Sequence, residues 1–524
     1  MPQPVPVELA LSSDADMEGV TRLLGRSMPV HAAPPRSCER ILLDSFDGRL
    51  RERGWTAWRD VRGGASSPAP LTLECPPEGR FSGTARPGRR DRILVSELTD
   101  GPARRLLEPV LDERALLPLV RVRARTQPLS VCNRDAKTVV RLVHEDTRVT
   151  AGGTEIRLAP RLRVVPVLGY DRDFARVTAL LTGRGGLTRA DGSLADEVMT
   201  AAGLDPRGVS SEVRVRLDPA MPAGPAMLAV CRRLAEVVDA NLAGTIDDLD
   251  PEFLHDLRVA VRRTRSVLKE MRGVLEPGAA QRSRVDLRWI QEVTGPTRDL
   301  DVLLHDWPAM TAPVPAGMAA DLDPLEQLLR RHRAEAYSAM RRQLRSRRFG
   351  QAWEDWRQVI GGDGSVGGPA AGHPVGELAA GRILSVYRSM VKMGSAIDDS
   401  SPPPALHDLR KRGKELRYLL ELFGGMWPAK RVKPLVAGLK GLQEVLGHFQ
   451  DDEIQVAELR GLGPELASAP GGTDSLIALG FVLDGLSASQ RQARASFAAR
   501  FADFTRPSTR DAVRDTFGPT RRHR

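Results

Sequence analysis

Leu254-His255-Asp256-Leu257-Arg258 returns 152 residues later as Leu406-His407-Asp408-Leu409-Arg410, the same five residues in the same order. Gln291-Glu292-Val293 with Gly295 returns as Gln443-Glu444-Val445 with Gly447, and Asp299 as Asp451, at the same offset. One offset held across separate segments means two copies of one structural unit. Apolar residues recur at helical spacing around both copies. The first set of predicted helices covers 226–246, 251–275, 281–305 and 323–349; the second covers 376–396, 402–423, 429–460 and 474–503. Asp250-Pro251 and Pro402–Pro404 stand where helices start. Gly361–Gly372 lies between the sets and predicts a flexible connector. The match is close over two helices of each set and weak over the other two.

Within the first copy His255, Arg258, Arg262 and Arg265 fall at i, i+3, i+7 and i+10, within about 80° on a helical wheel. Leu254, Leu257, Val261 and Leu268 form the neighbouring apolar stripe. The second copy keeps charge at all four positions as His407, Arg410, Lys414 and Arg417. Elsewhere the copies diverge: Arg263 corresponds to Glu415, Lys269 to Glu421 and Arg272 to Gly424. That divergence predicts surface charges that drifted freely around one retained basic face. Like charges at these spacings weaken a helix, so the face needs a partner. Internal acids such as Asp256, Asp408 or Glu292 are one choice and a polyanion is the other. Arg presents a fork of donors to phosphate oxygens, Lys a point charge, and His a further donor. Arg288 and Lys440 match at the same offset, and Arg232 and Arg388 sit in similar contexts. Arg330–Arg348 holds eight Arg with only Glu335 opposing them, a run that fits a solvated helix as well as a ligand wall.

Composition sets the frame. The 524 residues carry 77 Lys+Arg against 67 Asp+Glu, a net charge of +10. That excess divides evenly between residues 221–524 and the remainder, so bulk charge does not locate a site. Apolar residues at 41% are ordinary for a soluble domain. No run approaches the length of a membrane span, and Met1–Leu11 lacks the pattern of a signal peptide. The expectation is a cytoplasmic protein without a membrane partner. Cys38, Cys75, Cys132 and Cys231 are widely spaced, which predicts neither a disulfide framework nor a zinc site.

Residues 1–200 carry a different pattern. Short alternating runs at Pro4–Leu11, Leu71–Cys75, Ile93–Glu97, Leu119–Arg125 and Thr138–Val143, separated by Gly, Pro and Asp, predict an antiparallel sheet or barrel. Residues 173–203 look partly helical. The fold class expected is α+β in two domains: an antiparallel, barrel-like N-terminal domain and an all-α duplicated four-helix bundle. The expected boundaries are 1–205, a linker at 206–222, helical residues 223–505 with repeats at about 223–360 and 374–505, and a basic tail at 506–524.

The Leu-His-Asp-Leu-Arg helix, present twice, and the segment Leu287–Asp301 with its second copy Leu439–Glu453 resemble the CHAD family, the conserved-histidine α-helical domain. Gln450 stands in the second copy where Arg298 stands in the first. The resemblance covers roughly residues 222–505. It implies two pseudo-symmetric helical bundles around a basic groove or pore that binds inorganic polyphosphate, with association to polyphosphate granules. It also implies that His255, Arg258, Arg262, Arg265, His407, Arg410, Lys414 and Arg417 face the ligand.

The N-terminal part resembles the CYTH, or triphosphate tunnel, family at Asp44–Thr56, where a bound segment leads into a basic strand, and at Leu71–Glu74 and Val120–Arg123. That family opens with Glu-x-Glu-x-Lys on a strand, which alternation points into the barrel. Pro6, Glu8 and Ala10 stand at those positions here. The later acidic strand corresponds to Leu162–Val167, which has no acid. Paired carboxylates hold the catalytic metal in such a site, so the departure predicts a non-catalytic relic with no metal, no cofactor and no catalytic residues. Arg49, Arg51, Arg121 and Arg123 are anion-binding candidates there, or solvated strand residues. Phosphate-loop, zinc-protease and serine-elbow motifs are absent. The function expected is non-catalytic polyphosphate binding. A metal-dependent triphosphatase or polyphosphatase and nucleic-acid binding are the alternatives, and aromatic residues at 4% give little base-stacking surface for the latter.

Overall fold

A computed structural model of the chain describes residues 6–11, 17–61, 69–76, 79–85, 91–205, 211, 213–362 and 366–518. Parts of four predicted features, residues 4–5, 206–210 with 212, 363–365 and 519–524, lie outside the described residues. The chain divides into two units, Met1–Ser210 and Ser211–Arg524.

The first unit is one antiparallel sheet. Its strands are β1 (Val7–Ala10), β2 (Val30–Ala32), β3 (Arg36–Asp44), β4 (Thr56–Asp60), β5 (Ala69–Cys75), β6 (Gly79–Ala85), β7 (Leu117–Cys132), β8 (Thr138–Ala151), β9 (Thr154–Arg157), β10 (Arg161–Pro166) and β11 (Thr188–Arg189). The helices are α1 (Met17–Gly25), α2 (Arg49–Glu52), α3 (Pro102–Leu111), α4 (Asp171–Thr182) and α5 (Leu194–Ala201). The order β11-β1-β10-β8-β7-β3-β4-β5-β6 leaves β11 and β6 as unjoined edges among the described residues, so the expected barrel is not closed by hydrogen bonds. The sheet nevertheless curls, because Arg163 on β10 reaches Glu74 on β5 at 2.6 Å. Strict alternation along β5 buries Leu71, Leu73 and Cys75 on one face.

Two local expectations are corrected. Ile93–Glu97 is a single bridge to Leu116 followed by a short 3-10 turn at Val95–Glu97. Arg49 and Arg51 sit on the helical turn α2, not on a basic strand. The Asp44 carboxylate accepts the backbone N–H groups of Ser45, Leu50 and Arg51 at 2.7, 3.0 and 3.2 Å and so winds the chain there. Gly48, at φ 74°, supplies the left-handed entry to the turn.

The second unit is helical. Its main helices are α6 (Ala223–Asp247), α7 (Pro251–Glu270), α8 (Pro277–Thr311), α9 (Asp323–Leu344), α10 (Arg347–Gly361), α11 (Val375–Gly394), α12 (Pro403–Phe423), α13 (Ala429–Gly461), α14 (Gly463–Ala467), α15 (Gly472–Phe504) and α16 (Pro507–Phe517). The starts of α6, α7 and α8 precede those of α11, α12 and α13 by 152 residues each, so the repeat extends to a helix that sequence identity barely marks. Asp250 caps α7, its carboxylate accepting from Glu252 and Phe253 at 3.0 and 3.2 Å.

The copies meet around a pseudo-twofold axis. Ala223 N–H donates to the His373 carbonyl at 2.8 Å, and Val375 N–H donates to the Met221 carbonyl at 2.9 Å, a pair of bonds related by the same offset. One core runs through both copies and takes in Leu254, Leu257, Val261 and Leu268 with Leu406, Leu409, Leu416 and Leu420. A second core joins the far ends, where Leu303, Trp307 and Leu325 meet Leu459, Leu479 and Val482.

Four stretches differ from expectation. The expected helix 323–349 ends at Leu344, and α10 follows, burying Phe349, Trp353 and Trp356. The described part of the connector is pinned, with Ala370 N–H donating to the Gly273 carbonyl at 2.8 Å. The predicted tail contains α16, whose Phe517 packs edge-on against Trp427 at 4.9 Å. On the linker side, Val213, Val215, Leu217 and Met221 already lie on the helical core.

Candidate functional site

The apolar stripe of α7 fixes which way its basic face turns. With Leu254, Leu257, Val261 and Leu268 buried, the face carrying His255, Arg258, Arg262 and Arg265 turns toward α8 and α12. The twin face of α12 turns toward α13 and α7.

The four positions do different jobs. Arg258 is only 8% exposed. Its Nη1 donates to the Gln291 carbonyl and to Thr294 Oγ1, both at 2.8 Å, and Gln291 Nε2 donates back to the Arg258 carbonyl at 2.9 Å. Burial lowers its pKa to about 10, and Arg262 and Arg298 push the same way against Asp299. Its twin Arg410 lacks the threonine, since Leu446 stands where Thr294 does. Arg410 pairs with Asp451 at 3.0 Å instead. Gly295 and Gly447 lie beside these guanidiniums, where a Cβ would make ordinary contact at 3.7 Å from the arginine and 3.9 Å from Asp299 or Asp451. An Arg–Gly–Asp arrangement is thus built twice. Arg258→Gln is expected to lower stability by about 2–4 kcal/mol, read by denaturant unfolding. An unchanged midpoint would show that Arg258 is not a strut between α7 and α8.

His255 is half-buried; burial lowers its pKa, Glu252 and Asp256 oppose that, and Arg298 and Arg262 reinforce it. Arg298 approaches Glu252 at 3.9 Å. On the other copy the His407 Nδ1 is hydrogen-bonded to Gln450, the residue standing in for Arg298. Arg265 is lowered by burial and by Arg288 and Arg262, against Glu292. Arg288 is exposed and pairs with Glu292 at 3.0 Å, and Lys440 is exposed.

At the centre, Arg262 and Lys414 occupy equivalent positions of the two copies and face one another electrostatically. Burial lowers the Lys414 pKa to about 7, and Arg410, Arg262 and Arg417 add to the effect while Asp451 alone opposes it. Among the described residues neither Arg262 nor Lys414 has an ion pair. Glu415 holds Lys269 and Arg412, Glu421 holds Arg263 at 2.8 Å, and Asp451 holds Arg410. Asp299 faces Arg262 but is shared with Arg258 and Arg298, and burial raises its pKa. Arg417 lies 3.9 Å from Glu421 and over the Tyr418 ring.

The expectation that Arg263 and Lys269 are drifted surface charges is overturned. Arg263–Glu421 and Lys269–Glu415 are the two ion pairs that tie α7 to α12, and they are images of each other about the pseudo-twofold axis. The signal was present in the sequence as a double sign inversion at one offset. Part of Arg330–Arg348 is held by acids and a ring from other helices. Arg333 grips Asp248 at 2.6 Å and Asp301 at 2.8 Å, Arg331 meets Glu465, and Arg348 covers Trp289. Arg232 donates to the Ile360 carbonyl at 2.7 Å. Arg388 is exposed and corresponds by offset to Glu236, not to Arg232.

In the first unit, the curled face encloses a cavity of about 720 Å³ lined by Glu8, Trp58, Glu74, Arg80 and Arg163, among others. Arg163 holds Glu74 at 2.6 Å and Glu8 at 3.3 Å. Burial by itself would raise Glu74, but Arg163, Arg80 and Arg40 hold it below the usual carboxylate range. Arg121 and Arg123 are exposed and approach Glu39 at 3.4 and 3.8 Å. They alternate with buried Val120, Val122 and Ala124 and so lie on the face opposite the cavity. Arg49 is tied to Asp47 at 2.9 Å and to the Leu111 carbonyl at 2.6 Å. Among the described residues, no group of three or more His, Cys, Asp or Glu is placed to hold a metal ion, and no helix is long and apolar enough to cross a membrane.

Residues 229–460 match the family model of the CHAD domain. No curated protein matches the chain. Among solved structures, the CHAD domain from the plant Ricinus communis is 24% identical, covering 58% of this chain and 95% of its own, with a TM-score of 0.43. PptA from Streptomyces chartreusis is 17% identical over 53% of this chain and 99% of its own, at 0.44. A Hippeastrum protein described as an adenylyl cyclase with a dominant triphosphatase activity is 12% identical over 39% of this chain and 99% of its own, at 0.25.

Proposed function

We propose that the CHAD domain at residues 229–460 holds inorganic polyphosphate without turning it over, on the cationic surface shared by α7 and α12. One observation carries this reading. Arg262 and Lys414, the same position of the two repeats, sit together without an ion pair among the described residues, and the acids that face them are shared: Asp451 with Arg410, and Asp299 with Arg258 and Arg298. A like-charged, half-buried pair is costly in isolation and becomes favourable when an anion bridges it. His255, Arg265 and Arg288 extend the surface on one side, and His407, Arg410, Arg417 and Lys440 on the other. A chain of phosphates can span that length, whereas a single phosphate reaches only part of it. Association with polyphosphate granules in the cytoplasm follows as the setting for such a binder.

Nucleic acid is the less favoured ligand. The one aromatic ring at the centre, Tyr418, is buried beneath Arg263 and Arg417 and has no free face on which a base could stack. A metal-dependent triphosphatase in the first unit is also disfavoured, since Glu8 and Glu74 are already held by Arg163.

With full-length protein at one near-physiological salt concentration, long-chain polyphosphate is expected to bind at least about tenfold more tightly than ATP or orthophosphate. Equal affinity for all three would reject the reading. Tighter binding of single-stranded nucleic acid would replace it with the second.

A further inference from the structure

We infer that the site at the α7–α12 contact takes up a proton together with its polyanion, and that Lys414 is the group that accepts it. This rests on the polyphosphate reading above.

The geometry sets up the coupling. Lys414 is flanked on its own helix by Arg410 and Arg417, met from α7 by Arg262, and approached from α13 by Asp451. Asp451 is engaged by Arg410 at 3.0 Å. Glu415, adjacent in sequence, is engaged by Lys269 and Arg412. From α11 the neighbourhood receives Met390, which lies 3.4 Å from a Cβ built on Gly413. Three buried nitrogen donors on residues of this cluster, Arg410 Nε, Arg417 Nε and Gln443 Nε2, donate no hydrogen bond among the described residues, although Arg417 Nε lies 3.9 Å from Glu421. The cluster is therefore rich in donors and short of negative charge. An ammonium in that position repels three guanidiniums.

Burial and those charges hold Lys414 at about 7, where an ordinary lysine stays protonated. A phosphate arriving between Arg262 and Lys414 reverses the sign of the local field and restores the proton. Binding and protonation are then linked, and each strengthens the other. His255 sits further along the face, and burial lowers its pKa, so it does not add to uptake above neutral.

Calorimetric titration of full-length protein with long-chain polyphosphate, in buffers of differing ionisation heat, measures the protons taken up. At pH 8 uptake is expected to be close to one proton, and affinity is expected to fall about tenfold between pH 7 and 8.5. Lys414→Arg keeps a fixed charge, so it should bind with almost no uptake and a flat profile over that range. Lys414→Gln should also lose the uptake, with weaker binding. A His255→Gln, His407→Gln double variant should keep it. Wild-type uptake near zero, or equal uptake in wild type and Lys414→Arg, overturns the inference while leaving polyphosphate binding intact. If wild type binds no polyphosphate anywhere from pH 6 to 9, the polyphosphate reading itself falls.

Discussion

Lys414→Met makes the protein harder to unfold and poorer at holding polyphosphate. The methionine fills similar space without a charge to desolvate and without repelling Arg262, Arg410 and Arg417. Lys414 titrates near 7 in the folded chain against about 10.5 unfolded. Between those values the unfolded chain binds more protons, so this group's contribution to stability rises with pH; below about 7 its full penalty is present. The gain from methionine is therefore largest near pH 6 and fades toward pH 10. Allowing for solvent screening, it should be on the order of 2 kcal/mol at pH 6, a shift of several degrees in Tm. Polyphosphate affinity should drop by about tenfold, the loss of one charge-assisted contact. Thermal scans at pH 6 and 9, paired with a binding isotherm, decide it. A variant less stable than wild type at pH 6 would mean that Lys414 is satisfied in the folded chain and the site is not strained toward an anion.

The second large effect concerns the ion pairs between α7 and α12. Arg263→Glu sets a carboxylate against Glu421 in a half-buried contact, and Glu421→Arg sets two guanidiniums together. Each is expected to cost about 2–3 kcal/mol, with the exchanged pair Arg263→Glu, Glu421→Arg recovering most of it. The measurement is a double-mutant cycle by denaturant unfolding. Additive losses, with no recovery in the exchanged pair, would show that the pair contributes no coupling and that apolar packing alone docks the repeats. Lys269 and Glu415 offer a replicate of the same geometry elsewhere in the molecule.

The repeat was legible because two short motifs kept one offset, and α6–α8 and α11–α13 start in that register. The basic face was legible because Leu254, Leu257, Val261 and Leu268 fixed the orientation of α7 by periodicity. What escaped depends on partners far away in the chain. Arg333 looks like one of a crowd of arginines until Asp248 and Asp301 are brought to it. Arg263 and Arg258 look alike as cations on one helix, yet one docks the other repeat and one braces α8. The first unit kept its strands in place, but Asp44 wound Arg49–Glu52 into a turn through three backbone hydrogen bonds that no alternation pattern encodes. Closure of the sheet was likewise beyond strand patterning, which gives faces and not the fate of the edges.

The paired sign inversion reaches beyond docking strength. Residues 263 and 269 are both cationic, and their counterparts 415 and 421 are both anionic. In a symmetric dimer of identical subunits, position 263 of one copy would meet position 269 of the other. Two first halves would then bring plus against plus twice, and two second halves minus against minus. Each half thus rejects a second copy of itself and accepts only its sibling. Identical subunits could satisfy this surface only by carrying one charge of each sign. The arrangement seen here is open to halves encoded separately along one chain, which are complementary where true duplicates would be repellent.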